Sequence, residues 1–375
     1  MPIVLDGSQG ISTPMYGGAI SSNAVTPVVG MKNKIINGAC VIDQRNAGAS
    51  VTLGVGNPTY TLDRWGFQTS QASKLSVQQN AGSVTPPVGF SNYLGITSLS
   101  AYSVGSGDYY TFQQRIEGFN TSDLGWGTAN AKTITISFWV RSSLTGTFGG
   151  SLTNSAFDRS YPFSYTISAA NTWEYETITI AGDTTGTWIG ATNGIGIFLT
   201  FGLGVGSTYN GTAGSWQASG LLSATGATSV VGTNGATFYI TGVQLEVGST
   251  ATSFDYRPYG TELQLCQRYY VQYGGTSTNE HLPMVAQVQG NTNANTSFQL
   301  PVQMRTTPSI TQASTWQANI YGGSSQNINS FAISDSTPLV ARLDITLAGN
   351  LGSAGQCARM LSLSTAARLN FSAEL

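Results

Sequence analysis

The chain has 375 residues, enough for about two or three domains, yet only 9% of them are charged, where a soluble domain has roughly a quarter. Its net charge of −2, with 15 Lys and Arg, argues against nucleic acid and anionic membranes as partners, because phosphates need many cations to neutralise them. Abundant Gly, Thr, Tyr, Phe and Val without long helical periodicity predict an all-β protein with many turns.

The number and spacing of the cysteines indicate the redox state of the cellular compartment and whether a metal site is expected. Cys40, Cys266 and Cys357 are odd in number and widely spaced, so they match neither a disulfide framework nor a metal-ligand pattern. The first residues, MPI, lack a basic region, and no run approaches the roughly 18 apolar residues of a membrane span. We therefore expect synthesis in a reducing cytosol, no secretory export, no membrane insertion, and no metal or cofactor.

Residues 1–30 are rich in Gly, Ser, Pro and Thr and carry almost no charge. Such a segment cannot bury a core of its own. Because a disordered tail usually carries more charge, we interpret it as an extended arm that docks on a partner protein. An untethered terminus is the alternative.

Strand patterns with Gly-rich and Asn-rich connections fill residues 31–258. In residues 133–140 the side chains alternate, with Ile134, Ile136, Phe138 and Val140 on one face and Thr133, Thr135, Ser137 and Trp139 on the other. Residues 194–203 alternate in the same way. Because each strand has one apolar face, two sheets must cover one another, and the length favours a large jelly-roll β-sandwich.

The stretch that follows changes from strand to helix. Residues 238–246 predict a strand with a bulge at Thr241-Gly242, where the alternation of apolar residues shifts by one position. Residues 259–274 predict a connecting helix, because Thr261 and Gln264 match a capping box and glycines close the segment.

This predicted helix has an apolar face made by Leu263, Leu265, Cys266, Tyr269 and Tyr270. A helix of about ten residues is marginal alone in water, so the face must pack against something. Two interpretations remain open: burial between two β domains of one chain, or packing of three copies on an axis.

Residues 275–375 show the same alternating strand pattern over a shorter length and predict a smaller C-terminal β-sandwich. Pro301, within the pattern of residues 297–304, lacks an N–H and predicts an edge strand or a bulge. Leu369, Phe371, Ala373 and Leu375 line the predicted last strand.

Catalytic motifs are lacking. The single histidine, His281, has no nucleophile motif beside it. A glycosidase is the enzyme alternative, because two carboxylates suffice for that chemistry. The carboxylates of the middle region show no spacing that pairs them: Glu117, Asp123, Asp158, Glu174, Glu176 and Asp183. We therefore predict no catalytic residues.

The sequence offers more candidate side chains for ligand binding than for catalysis. Aromatic rings can stack on the C–H faces of sugars, and polar side chains can bond the hydroxyls. Most tryptophans of a β-sandwich belong to the core, but glycine neighbours give Trp126, Tyr209 and Trp216 no regular strand to pack into. We take these three residues as the candidate ligand-binding side chains.

Four segments resemble bacteriophage virion proteins, chiefly tail-fibre and receptor-binding proteins. The first is the opening, in which IINGACVIDQR is followed by YTLDRW. The other three are YITGVQLEVGSTATSFDYRPYGTELQLCQRYY, MRTTP and the terminal NFSAEL. The matched segments cover about a third of the chain. The resemblance implies a carbohydrate-binding jelly roll, in which the last strand often reads like FYITGVQLE.

The resemblance also implies a role. We expect a non-enzymatic virion protein, a homotrimeric tail fibre that contacts other particle proteins through residues 1–30 and attaches the phage to a host surface glycan. The alternatives are a head-decoration or collar protein without ligand binding, and a polysaccharide-degrading glycosidase.

Overall fold

The computed structural model describes residues 31–375 and, before them, one antiparallel strand pair, β1 (Leu5–Asp6) and β2 (Gly10–Ile11). The remainder of the predicted docking arm lies outside the described residues. The described chain is all-β apart from one α-helix and three short 3-10 turns at Ala81–Ser83, Gly118–Asn120 and Ser122–Leu124. The all-β prediction is confirmed.

Two six-stranded antiparallel sheets form the first unit. The back sheet consists, in spatial order, of β11 (Ser160–Ile167), β10 (Gly146–Thr153), β13 (Ile195–Val205), β8 (Tyr109–Glu117), β5 (Gly66–Thr69) and β4 (Gly56–Tyr60). The front sheet consists of β12 (Glu174–Ile180), β9 (Ile134–Ser142), β16 (Thr237–Val247), β7 (Leu94–Ser98), β6 (Leu75–Gln79) and β3 (Val51–Thr52). A parallel pair, β14 (Asn210–Gly211) and β15 (Ser223–Ala224), lies outside both sheets.

The two sheets pack face to face because each strand has one apolar side. On β9 the four predicted inward residues, Ile134, Ile136, Phe138 and Val140, are fully buried. They join a continuous core with rings such as Phe112, Phe201 and Phe238. The pairing of β16 with β9 shifts register between Thr241 and Gln244, so the predicted bulge is confirmed. The unit is the expected jelly-roll sandwich.

The helix is shorter than predicted. It runs over Tyr259–Gln267 (α1), and its N-cap residue is Pro258, which has no side chain that can accept a hydrogen bond. Thr261 therefore lies inside the helix, and the predicted capping box is wrong. Residues Tyr270–Tyr273 form a strand (β17) rather than a last helical turn. The reason is tertiary: β17 pairs along its length with the final strand, Arg368–Ser372 (β25), which overrides the helical spacing.

The C-terminal unit is built mainly on a closed barrel. The barrel strands, in spatial order, are β18 (His281–Gly290), β19 (Asn293–Gln299), β23 (Val340–Leu347), β22 (Ser325–Ser334), β21 (Trp316–Asn319) and β24 (Cys357–Ser362). A three-stranded sheet of β17, β25 and β20 (Ser309–Ala313) flanks it. The sequence predicted a smaller β-sandwich. In the structure β18 pairs with both β19 and β24, and this closure into a barrel removes the edges of the sheet. The strand β19 ends before Pro301, which therefore interrupts no ladder.

Helix α1 and the start of β17 pack against the sandwich within the same chain. Cys266 and Tyr269 are fully buried beside Ile36 and Ile42, and the partly buried Leu263 and Leu265 adjoin them. Tyr270 is also buried, with the guanidinium of Arg45 3.6 Å from its ring centroid. These contacts pack the apolar face against the sandwich of the same chain, without a second copy. The packing of three copies stays a prediction.

Charged groups reinforce the contact between the two units. Glu117 of the sandwich accepts hydrogen bonds from Arg268 Nε at 2.9 Å and from the Tyr269 hydroxyl at 2.6 Å. Burial raises the pKa of Glu117, but these two partners outweigh it and hold the pKa below its usual value. Glu374, next to the barrel's flanking sheet, pairs with Arg45 and Arg64 of the sandwich. Arg64, which precedes Trp65 in the quoted YTLDRW segment, therefore has a structural role at the contact between the two units.

Candidate ligand-binding groove

The predicted ligand residues do not form an exposed site. Trp126 is only 7% exposed, so the expectation that it is an exposed loop residue is wrong. Its indole N–H donates to the Lys132 carbonyl at 2.8 Å, and its ring meets Trp188 and Trp216 edge to face at 4.8 and 5.3 Å. Glycine neighbours here permit a turn that folds the ring inward, with φ of +61° at Gly125.

Trp126, Trp188 and Trp216 form what we call the tryptophan cluster. Trp216 is partly buried, and its indole N–H donates to the Ala181 carbonyl at 2.8 Å. Trp188 donates to Asp183, which also accepts two hydrogen bonds from Arg159 at 2.7 and 2.8 Å. The cluster is therefore pinned by hydrogen bonds and packs on the sandwich core.

Tyr209 lies apart from the cluster. Its ring meets Tyr109 edge to face at 5.6 Å, and its carbonyl accepts a hydrogen bond from the Leu222 N–H at 2.7 Å. The structure thus brings together two of the three predicted side chains, as packing elements, and separates the third.

The indole N–H groups single out another tryptophan. Six of the seven tryptophans donate this hydrogen bond within the protein: Trp65, Trp126, Trp173, Trp188, Trp216 and Trp316. Among the described residues, Trp139 alone has no acceptor for its indole N–H. Trp139 points away from the core on β9 and is only partly buried. An amphipathic ring with a free donor at the surface is the arrangement expected of a binding residue.

Trp139 forms the floor of an open cavity of about 280 Å³ on the outer face of the front sheet, which we call the aromatic groove. Tyr175, directly opposite on β12, places its ring 5.2 Å from that of Trp139 and is 44% exposed. The remaining lining residues are Val88, Phe90, Ser137, Gly242, Ser253, Phe254 and Tyr256.

A ridge of three rings forms one wall of the groove. Phe90 lies 5.1 Å from Phe254 and 5.5 Å from Tyr256, and the last two rings are 4.9 Å apart, all between centroids. Gly242 makes the ridge possible, because its φ is +62° and a Cβ there would lie 2.6 Å from the Phe90 ring. The bulge in β16 therefore shapes the groove as well as the strand.

Hydrogen bonds fix both segments that carry the ridge. The segment with Phe254 and Tyr256 is held by Thr252, whose N–H donates to Glu246 at 2.8 Å, and by Asp255, whose N–H donates to Gln244 at 2.8 Å. The segment with Phe90 is held by Trp173, whose indole N–H donates to the Thr85 carbonyl at 2.9 Å. The groove walls are thus positioned before any ligand arrives.

The described residues that line the groove are uncharged. It offers aromatic faces together with the hydroxyls of Ser137, Ser253 and two tyrosines. Burial raises the pKa of Tyr256. The hydroxyl of this phenol can donate a hydrogen bond. Apolar faces with a few hydroxyl groups suit a polar ligand that also has C–H faces.

The sequence contained a signal for Trp139 that the search for loop aromatics missed. In residues 133–140, Trp139 shares its face with Thr133, Thr135 and Ser137, whereas the other face is wholly apolar. A large aromatic residue on the polar face of an amphipathic strand indicates exposure. Phe254 and Tyr256 had no comparable signal, because their positions depend on the contact with Phe90.

Most of the carboxylates considered for catalysis have protein partners. Glu117 binds Arg268, Asp123 binds Lys34, Asp158 accepts from Asn154, and Asp183 binds Arg159, while Glu174 accepts backbone N–H groups of residues 168–169. In the part of the chain that the structure describes, no group of three His, Cys, Asp or Glu side chains could hold a metal ion. Within the same residues, no helix has the length and apolar character to cross a membrane.

No protein-family model matches the chain, and no curated protein matches it in sequence. Solved structures that it is similar to include the enzymatically active domain of tailspike protein 4 of bacteriophage CBA120, at 11% identity and a TM-score of 0.33. That match covers 58% of this chain and only 22% of the tailspike domain.

Two carbohydrate-binding modules are also similar. One belongs to family 4, with 17% identity, a TM-score of 0.28, and coverage of 56% of this chain and 98% of the module. The other is the family 11 module of Clostridium thermocellum in complex with a mixed-linked tetrasaccharide, with 11% identity, a TM-score of 0.27, and coverage of 54% and 98%.

Proposed function

We propose that the chain is a glycan-binding protein and that the aromatic groove is its binding site. The observation that carries the proposal is the state of Trp139, whose indole N–H has no acceptor among the described residues while its ring forms the groove floor beside Tyr175. A sugar ring could stack on the face of Trp139 with its edge against Tyr175, and a hydroxyl of a neighbouring sugar residue in the plane of the indole could accept the free N–H.

The proposal assigns binding without hydrolysis. Glycosidases use a pair of carboxyl groups on either side of the scissile bond. Within the described part of the chain, no Asp or Glu lines the groove. A catalytic site would have to lie elsewhere on the chain.

We further propose that the protein is a phage tail fibre and acts as a homotrimer. The resemblance of the quoted segments to virion proteins supports this role. The groove supports it as well, because a single shallow site binds weakly and three linked copies gain avidity. Residues 1–30 would contact the other particle proteins.

Light scattering on the full chain tests the oligomeric part of the proposal. We expect a mass of three chains at micromolar concentration. A stable monomer under these conditions would rule out the trimer and leave the groove proposal intact.

Binding itself is tested with Trp139→Ala on an array of bacterial surface polysaccharides and by adsorption to host cells. We expect the substitution to abolish or strongly weaken binding while the melting temperature stays near that of the wild type. A matched control is Tyr321→Ala, which removes an aromatic side chain that is 90% exposed on the barrel unit and should leave binding unchanged. If Trp139→Ala binds normally, the groove is not the site and the structural rival, a decoration or collar protein, is favoured.

A further inference from the structure

The outer face of the front sheet carries a cation immediately beyond the groove. Arg141 follows Trp139 by two residues on β9, so both side chains leave the same face, roughly 7 Å apart along the strand. On the neighbouring strand β16, Thr241 lies opposite Trp139 and Tyr239 lies opposite Arg141. Arg141 therefore stands in the next row of the same surface, within about one sugar residue of the groove floor.

The guanidinium of Arg141 is positioned but not neutralised. Its Nε donates to the Asn171 carbonyl at 2.8 Å, and its Cζ lies 5.6 Å from the centroid of the Tyr239 ring. In residues 31–375, no Asp or Glu forms an ion pair with it, and no acceptor is found for either Nη group. Glu174 pairs in register with Val140, so it leaves the opposite face of the sheet, and it accepts hydrogen bonds from the N–H groups of residues 168–169.

This arrangement differs from that of most arginines in the sandwich. Arg45, Arg64 and Arg159 each pair with a carboxylate at close range. A guanidinium that is held by one backbone bond has lost part of its freedom in advance, and its two free Nη groups match the two oxygens of a carboxylate or phosphate.

We propose that Arg141 makes the groove selective for glycans with an anionic substituent, which the guanidinium binds while an adjacent sugar stacks on Trp139. This inference rests on the proposed function and names the class of ligand. Because the groove residues that the structure describes are uncharged, the aromatic rings supply the stacking and Arg141 supplies the discrimination between acidic and neutral sugars.

The test compares the wild type, Arg141→Gln and Trp139→Ala on an array of neutral, carboxylate-bearing and phosphate-bearing bacterial polysaccharides. The acidic members are also printed after reduction of their carboxyl groups or removal of their phosphates, which separates the two sources of charge. We expect the wild type to prefer acidic members about tenfold, and this preference should shrink with added salt. Arg141→Gln should lose the preference while keeping the weaker binding to neutral members.

Two controls separate specificity from structure. Arg359→Gln removes the same charge from a barrel arginine whose Nε is likewise held by one neighbour, Asn319, and it should leave the preference unchanged. Arg141→Lys keeps the charge and should restore part of the preference. Melting temperatures of all variants should agree.

The array results test the selectivity of Arg141 separately from glycan binding in the groove. If the wild type prefers neutral members, or if Arg141→Gln keeps the acidic preference, the inference is wrong while the groove stands. If Trp139→Ala retains all binding, or if the wild type binds no member, the proposed glycan site fails and the inference fails with it.

Discussion

The tryptophan cluster and the aromatic groove are both sets of aromatic rings on the same sandwich, but they differ in what their polar atoms do. Every indole N–H in the cluster donates to a protein acceptor, and Trp126 is almost fully buried. In the groove, the N–H of Trp139 has no acceptor among the residues that the structure describes, and Tyr175 is 44% exposed. A hydrogen bond from an indole to the backbone indicates a packing role, whereas a free indole beside an exposed ring indicates a binding role.

The largest difference should be in stability. Trp126→Ala empties a buried site and leaves the Lys132 carbonyl without its donor, so the free energy of unfolding should fall by about 3–5 kcal/mol. Trp139→Ala should change it by less than about 1 kcal/mol, because only a partly buried ring is lost. Chemical denaturation of both variants measures the two free energies of unfolding. Equal losses of stability would remove the distinction between the tryptophan cluster and the aromatic groove.

As the pH is lowered, the contacts of the tryptophan cluster should weaken at a higher pH than those of the aromatic groove. Burial raises the pKa of Asp183, but hydrogen bonds from Arg159 and Thr185 outweigh it and hold the pKa below its ordinary value. A lowered pKa means that the ionised Asp183 stabilises the fold above about pH 4, and that this contribution is lost as the pH falls through the lowered pKa.

Asp183→Asn isolates this contribution. At pH 7 the variant should be less stable by about 1.5–3 kcal/mol, because the charged partner of Arg159 is gone, and its deficit should narrow below about pH 4. Melting curves from pH 3 to pH 7 measure both effects. A deficit that stays constant with pH would show that the charge of Asp183 does not support the cluster.

The smallest effect is expected for one ring of the groove. Tyr175→Ala should weaken a single glycan site about fivefold, or ~1 kcal/mol, and should leave the melting temperature unchanged. If three copies engage together, the loss of avidity should reach about a hundredfold. Isothermal titration with a soluble fragment of a bound polysaccharide gives the single-site value, and unchanged affinity would exclude Tyr175 from the site.

Much of the fold follows from the sequence because strand alternation is a local signal. Residues 133–140 and the bulge at Thr241-Gly242 were predicted from parity alone. Helix α1 was predicted too long, because β17 owes its extended form to a partner strand about 100 residues away in the chain. The closure of the barrel likewise depends on the pairing of β18 with β24, which no local pattern encodes.

The site was harder to predict than the fold. Glycine neighbours suggested that Trp126 would be exposed, but the same glycines let the chain turn and bury the ring. The face shared by Trp139 and Ser137 was visible in the alternation, whereas the wall of Phe90, Phe254 and Tyr256 assembles from segments more than 160 residues apart and depends on tertiary structure.

The most direct test is an NMR measurement on protein labelled with ¹⁵N at its tryptophan indoles. The spectrum should show seven N–H resonances, of which the one lost in Trp139→Phe belongs to the groove. That resonance should exchange fastest with solvent and should shift most when a bound polysaccharide fragment is added, while those of Trp126, Trp188 and Trp216 stay in place. A fragment that shifts the tryptophan cluster and leaves the Trp139 resonance unchanged would contradict the account.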